Sequence, residues 1–128
     1  MIETIAHDSL IEIKLNRAPV NALNFELLDQ LTKTIERVAE EGATGIVLSG
    51  GQKVFSGGLD VPYLLTCSTA ELKACWSRFF DAARALARSP IPVVASIAGH
   101  NPAGGCVLAL CCDYRVMAKG PYRIGLNE

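Results

Sequence analysis

Hydrophobic and polar positions first alternate along this chain and then settle into helical spacing. Between Ile2 and Leu15 the residues Ile5, Ile11, Ile13 and Leu15 alternate in part with polar neighbours such as Glu12 and Lys14, and His7-Asp8-Ser9 interrupts the run as a turn. That pattern predicts a β-hairpin. Asn16-Arg17-Ala18-Pro19 ends it in a loop. Leu27, Leu28, Leu31, Ile35 and Val38 then recur at three-and-four spacing, which predicts a helix with one apolar face. Asn24 is placed to cap it from Phe25 onward, Glu26 suits the positive end of its dipole, and Gly42 stops it.

Gly45 to Ser49 is a short apolar run, read as a buried strand, and a glycine-bearing loop follows it through Asp60. Ser68-Thr69-Ala70-Glu71 is a capping box, in which hydroxyl and carboxylate each take a free backbone N–H. The helix behind it is expected to carry Leu72, Cys75, Trp76, Phe79, Phe80, Ala83 and Leu86 on one face and to end at Ser89-Pro90. Ile91 to Ile97 reads as a second buried strand, Gly99 to Gly105 as a loop, Gly104 to Cys111 as a short buried helix, and Tyr114 to Met117 as a third strand. Hairpin, helix, strand, helix, strand, helix, strand is the order of an α/β fold with parallel strands and crossover helices. Pro121 opens a further unit.

Composition narrows the function classes. A chain of 128 residues suits one domain. Twelve basic residues against thirteen acidic ones give a net charge of -1, without the basic excess of a nucleic-acid binder. No run approaches the ~20 apolar residues of a membrane span. Met1-Ile2-Glu3-Thr4 has the features of neither a signal peptide nor a transit peptide. The five cysteines form no CxxC pair and read as reduced, buried thiols in a reducing compartment. Half the residues are hydrophobic and eleven more are glycine, against ~45–50% apolar residues including glycine in an average soluble domain. Two causes fit that excess: a face buried against partner subunits, or membership of a larger domain.

Both glycine-bearing loops fall just past the carboxyl end of a strand, where α/β folds place ligands. Phe55-Ser56-Gly57-Gly58-Leu59-Asp60 matches neither a P-loop nor GxGxxG. Asn101-Pro102-Ala103-Gly104-Gly105-Cys106 runs into an apolar helix. Gly104 and Gly105 would let a ligand approach the backbone, and the free N–H groups of the helix start can hold a developing oxyanion. Each loop alone is also an ordinary tight turn. Together they suggest an oxyanion hole with one N–H from each. Acid–base candidates are few. His7 reads as a solvated turn residue, His100 as a loop residue that could line a pocket, and Asp113 as a cap or strand start. Glu128 follows the apolar stretch Ile124-Gly125-Leu126. A carboxylate there would have a raised pKa suited to proton transfer, unless it is only an exposed chain end. GxSxG is absent, and no His, Cys or Asp cluster has metal-ligand spacing.

These residues resemble the crotonase, or enoyl-CoA hydratase/isomerase, superfamily. The likeness runs through Leu15-Asn16-Arg17-Ala18-Pro19-Val20-Asn21-Ala22-Leu23, the loop from Phe55 to Asp60, Pro102-Ala103-Gly104-Gly105-Cys106-Val107-Leu108-Ala109-Leu110 with Cys112-Asp113-Tyr114-Arg115, and Ile124-Gly125-Leu126-Asn127-Glu128. Within the superfamily the chain looks most like the mitochondrial-type Δ3-Δ2-enoyl-CoA isomerases. The resemblance implies a spiral of ββα turns, of which residues 1–128 would be the N-terminal part, cut before the C-terminal helices. It implies an acyl-CoA thioester as substrate, with coenzyme A as part of that substrate and no separate cofactor or metal. The complete protein would be a homotrimer or a dimer of trimers, in the cytoplasm of a bacterium or, if a transit peptide was removed, in the matrix of a mitochondrion.

Carried over residue by residue, the resemblance assigns the oxyanion N–H groups to Leu59 and Gly104. It places the pantetheine and nucleotide parts along Ala18 to Val20 and along Ser56, Gly57, Gly58 and Asp60, and it implies that Asn127, next to the base, also binds substrate. Where the family's hydratases have the first of two glutamates this chain has Val107, and the second matches Glu128. A one-carboxylate proton shift is therefore expected over hydration by two. The alternatives are another crotonase activity such as enoyl-CoA hydratase, or a non-catalytic acyl-CoA-binding or subunit-interaction piece.

Overall fold

The structure is a computed structural model that describes residues 1–126. The hairpin forms as expected. β1 (Ile2–His7) pairs antiparallel with β2 (Leu10–Leu15) around a turn in which Asp8 adopts a positive φ. α1 (Phe25–Glu40) starts where Asn24 accepts the Leu27 N–H at 2.9 Å, and it stops before Gly42, whose φ of 91° suits a residue without Cβ. β3 (Gly45–Ser49) follows.

A short helix, α2 (Val61–Thr66), then appears where the hydrophobic pattern gave no periodicity. It is set by local chemistry: the Asp60 carboxylate accepts the Tyr63 N–H at 3.1 Å, and Pro62 occupies the first turn, where its missing N–H costs nothing. α3 (Thr69–Ala87) carries the capping box between Ser68 and Glu71. β4 (Val93–Ile97), β5 (Asn101–Pro102), α4 (Ala103–Leu110), β6 (Tyr114–Met117) and β7 (Ile124–Gly125) complete the order.

The main sheet runs β1-β2-β3-β4-β6, parallel from β2 onward. Its period-two alternation puts Ile13, Leu15, Ile46, Leu48, Val93, Ala95 and Ile97 on one buried face. Leu27, Leu28, Leu31, Ile35 and Val38 of α1 pack there, together with Cys75, Phe79, Ala82 and Leu86 of α3 and Leu108 and Ala109 of α4. α3 departs from expectation. Trp76 and Phe80 are 44% and 57% exposed, because the stripe that meets α1 is narrower than the arc of seven apolar positions read from the sequence. Trp76 stacks on Phe80 at 6.0 Å instead. The opposite sheet face is open, with Tyr114 and Val116 exposed on the edge strand β6. Asn101–Pro102, expected as loop, pairs in parallel with Ile124–Gly125. Among the described residues no helix is long and apolar enough to cross a membrane.

Candidate functional site

The loop after β2 is built against the loop after β3. Asn21, at a φ of 51°, accepts the Arg17 N–H on Oδ1 at 2.7 Å and donates from Nδ2 to the Phe55 carbonyl at 3.0 Å. The Ser56 hydroxyl donates to the Asn21 carbonyl at 2.8 Å and accepts the Gly58 N–H at 3.1 Å. Gly57 N–H reaches the Val20 carbonyl at 2.8 Å. Leu23 then clamps both sides of Leu59: its N–H donates to the Gly58 carbonyl at 2.8 Å, and its carbonyl accepts the Asp60 N–H at 2.9 Å.

That clamp orients one amide. In a planar trans peptide the N–H points opposite to the C=O. With the Gly58 carbonyl held toward Leu23, the Leu59 N–H faces away from Leu23. The second loop arrives on that side. A Cβ on Gly58 would lie 3.2 Å from the Gly104 nitrogen, and a Cβ on Gly104 would lie 3.4 Å from the Leu59 nitrogen. The two loops meet at van der Waals distance because both positions are glycine. Gly58, at a φ of 88°, also holds a conformation that other residues rarely adopt.

Gly104 is in the first turn of α4, whose N-cap, Pro102, offers no side-chain acceptor. Among the described residues neither the Leu59 nor the Gly104 N–H donates to a protein acceptor. Two open amides, one at the positive end of a helix dipole, stand side by side. Such a pair can hold the oxygen of a polarised carbonyl. Phe79 borders it, its Cε2 lying 3.4 Å from the Gly104 Cβ position. Burial above all, with the nearby Asp60 carboxylate, pushes the Cys75 thiol of α3 up.

The other sequence candidates divide. Ala18, Val20 and Gly57 are exposed together on the rim, with Val20 Cγ2 3.2 Å from a Gly57 Cβ position. Ser56 is different: it is fully buried, its hydroxyl engaged inside the loop, so its side chain shapes the backbone. The Asp60 carboxylate is held by Arg17 at 2.8 Å and by its cap on Tyr63. Val107 is half-buried on α4. Asn127 and Glu128 lie outside the described residues. His7 pairs with Glu12 at the hairpin end, and Asp113 accepts the Val93 N–H at 2.7 Å. His100 Nδ1 accepts the Arg123 N–H at 3.0 Å, tying β5 to the segment that leads toward Glu128.

Three groups carry more of the site than the sequence announced: Arg17, Asn21 and Asn101. Asn101 is fully buried and donates to the Gly105 carbonyl at 3.2 Å. The asparagines had a signal, since each stands just before or within a loop that must be held without regular structure. A cleft of about 590 Å³ between α1 and α3, lined by residues such as Asp29, Lys33, Arg78 and Arg88, includes none of the loop residues.

Comparison with known proteins identifies the family and the fold. A family profile described as enoyl-CoA hydratase/isomerase matches residues 6–128, and the chain belongs to that family. Enoyl-CoA delta isomerase 1, mitochondrial, of Mus musculus is 37% identical over the whole of this chain, which covers 45% of that protein. The crystal structure of human mitochondrial delta3-delta2-enoyl-CoA isomerase superimposes with a TM-score of 0.93 at 34% identity, over 99% of this chain and 51% of that one. An enoyl-CoA hydratase from Bacillus anthracis superimposes with a TM-score of 0.91 at 28% identity, over 98% of this chain and 50% of that one. The fold is thus crotonase-like, and the chain spans about half the length of these relatives.

Proposed function

We propose that the protein is an enoyl-CoA isomerase that moves the double bond of a 3-enoyl-CoA to the 2-trans position. The observation that carries this reading is the pair of open amides, Leu59 and Gly104, brought together by the Gly58 and Gly104 backbones. The thioester oxygen sits between them. The Glu128 carboxylate removes a proton from C2, and the electron pair of that C–H bond enters a dienolate whose oxygen charge the two N–H groups hold. The protonated Glu128 returns the proton to C4; the C3–C4 pair forms the new C–H bond, the C1–C2 pair becomes the C2–C3 double bond, the carbonyl is restored and the carboxylate is regenerated. By the resemblance, Val107 stands where the family's hydratases have the first of their two glutamates, which favours isomerisation.

The similarity to isomerases supports this reading, and the similarity to the Bacillus anthracis hydratase supports hydration as the second one. Glu128→Gln in the full-length protein is expected to abolish conversion of 3-enoyl-CoA, followed by absorbance of the conjugated thioester, while leaving acyl-CoA binding intact. Substantial retained turnover sinks Glu128 as the base. Hydration faster than isomerisation in the unaltered protein favours the second reading. Acyl-CoA binding without turnover of either kind would mean a non-catalytic protein.

A further inference from the structure

We propose that Arg17 is a positioning residue for the oxyanion site, acting by cancelling the charge of Asp60 beside the Leu59 amide. The inference rests on the reading of the Leu59 N–H as an oxyanion donor. Asp60 directly follows Leu59 and its carboxylate is only 12% exposed. A fixed anion on the residue next to the donor amide opposes an oxygen that gains negative charge there, and partial burial leaves the opposition poorly screened. Its position is nonetheless required locally, since it caps α2 through the Tyr63 N–H.

Arg17 resolves the conflict. One guanidinium nitrogen, Nη1, lies 2.8 Å from Asp60 Oδ2 and donates to the Ala22 carbonyl at 2.8 Å. The backbone of Arg17 is fixed as well, its N–H on the Asn21 side chain and its carbonyl accepting the Asn21 N–H at 2.7 Å. The cation therefore spans the two strands of chain that clamp Leu59: Ala22 precedes Leu23, and Asp60 follows Leu59. It neutralises the capping carboxylate and ties down the segment that sets the Leu59 peptide plane. Arg17 reaches no reacting atom in this account and works through Asp60 and Leu23.

The test uses the full-length protein and four forms: unaltered, Arg17→Met, Arg17→Lys, and Arg17→Met combined with Asp60→Asn. Asparagine keeps an oxygen for the Tyr63 N–H and removes the charge. Two quantities are read: kcat and KM on 3-enoyl-CoA, and the lowering of the thioester carbonyl stretch in bound 2-enoyl-CoA. Arg17→Met is expected to lower kcat by roughly 10- to 100-fold, with KM changed less than threefold, and to diminish the carbonyl shift. Arg17→Lys, which keeps the cation, should recover most of both. The double variant should exceed Arg17→Met at least fivefold in kcat and regain carbonyl shift, because the lone anion is gone. A double variant no better than Arg17→Met, or an Arg17→Met protein with unaltered kcat and carbonyl shift, overturns the proposal. If the unaltered protein does not isomerise, the proposed function falls separately. The carbonyl shift across the same four forms then decides the role of Arg17.

Discussion

An alanine at Gly104 adds one methyl group between the two amides, and the structure says what it meets. The new Cβ lies 3.3 Å from Leu23 Cδ1, 3.4 Å from Phe79 Cε2 and 3.4 Å from the Leu59 nitrogen. The closest of these is the end of a leucine side chain, which can yield by a few tenths of an ångström. Alanine is also a better helix former than glycine by about 1 kcal/mol. Stability should therefore change by less than about 1 kcal/mol. The site fares worse, because a bound thioester oxygen needs the space ~2.7–3.1 Å from the Leu59 nitrogen. Loss of one oxyanion donor costs ~10²–10³ in rate, or about 2.7–4 kcal/mol, and kcat/KM for 3-enoyl-CoA should fall by that much.

The neighbouring Gly105→Ala is the control. Its Cβ would fall on the buried Asn101 Oδ1, with Ser56 Cβ at 2.9 Å and the Ser56 carbonyl at 3.1 Å. Overpacking of this kind costs about 1–3 kcal/mol, so this variant should lose stability in urea unfolding. A Gly104→Ala enzyme with unaltered kcat/KM would refute the placement of the oxyanion between these amides. A Gly104→Ala protein less stable than Gly105→Ala would refute the packing argument.

Further expectations follow from groups elsewhere. Hydrogen bonds from Ser49, at 2.6 Å, and from His7 hold the Glu12 carboxyl below its usual 4.5. A carboxyl depressed on folding adds stability that is complete above about pH 4.5 and is lost as pH falls through the lower folded value. Ser49→Ala should raise the Glu12 titration midpoint in an NMR pH series, and an unmoved midpoint would exclude that hydrogen bond as the main cause. Burial, reinforced by Cys111, pushes the Cys112 thiol up to about 12, so iodoacetamide at pH 8 should modify the half-exposed Cys67 well before Cys112. Mass spectrometry showing Cys112 labelled first would contradict its burial. The polypeptide of residues 1–128 expressed by itself should self-associate through its exposed Trp76, Phe80, Tyr114 and Val116. Sedimentation as a well-behaved monomer would count against that.

Much of the fold is legible in the chain because its causes are local. The hairpin alternation, the Asn24 cap, the Ser68–Glu71 capping box and the stop at Gly42 each act within a few residues, and each forms as read. The helix after Asp60 was also written locally, in the Asp–x–Pro start, but it is too short for hydrophobic periodicity to reveal. Resemblance supplied the names of Leu59 and Gly104, which spacing alone could not.

Tertiary structure decided the rest. Which apolar positions of α3 are buried depends on how wide a face α1 covers, and that left Trp76 and Phe80 outside. Ser56 reads as a residue along the substrate, yet the approach of Asn21 turns its hydroxyl inward. The ion pair of Arg17 with Asp60 and the meeting of the Leu59 and Gly104 amides join segments far apart in sequence. No local pattern encodes such pairs, because they exist only once parallel strands have set the two loops at the same end of one sheet. The sequence determined by itself the elements and the residue types able to do the chemistry. Only the packed sheet determined which of those residues face one another.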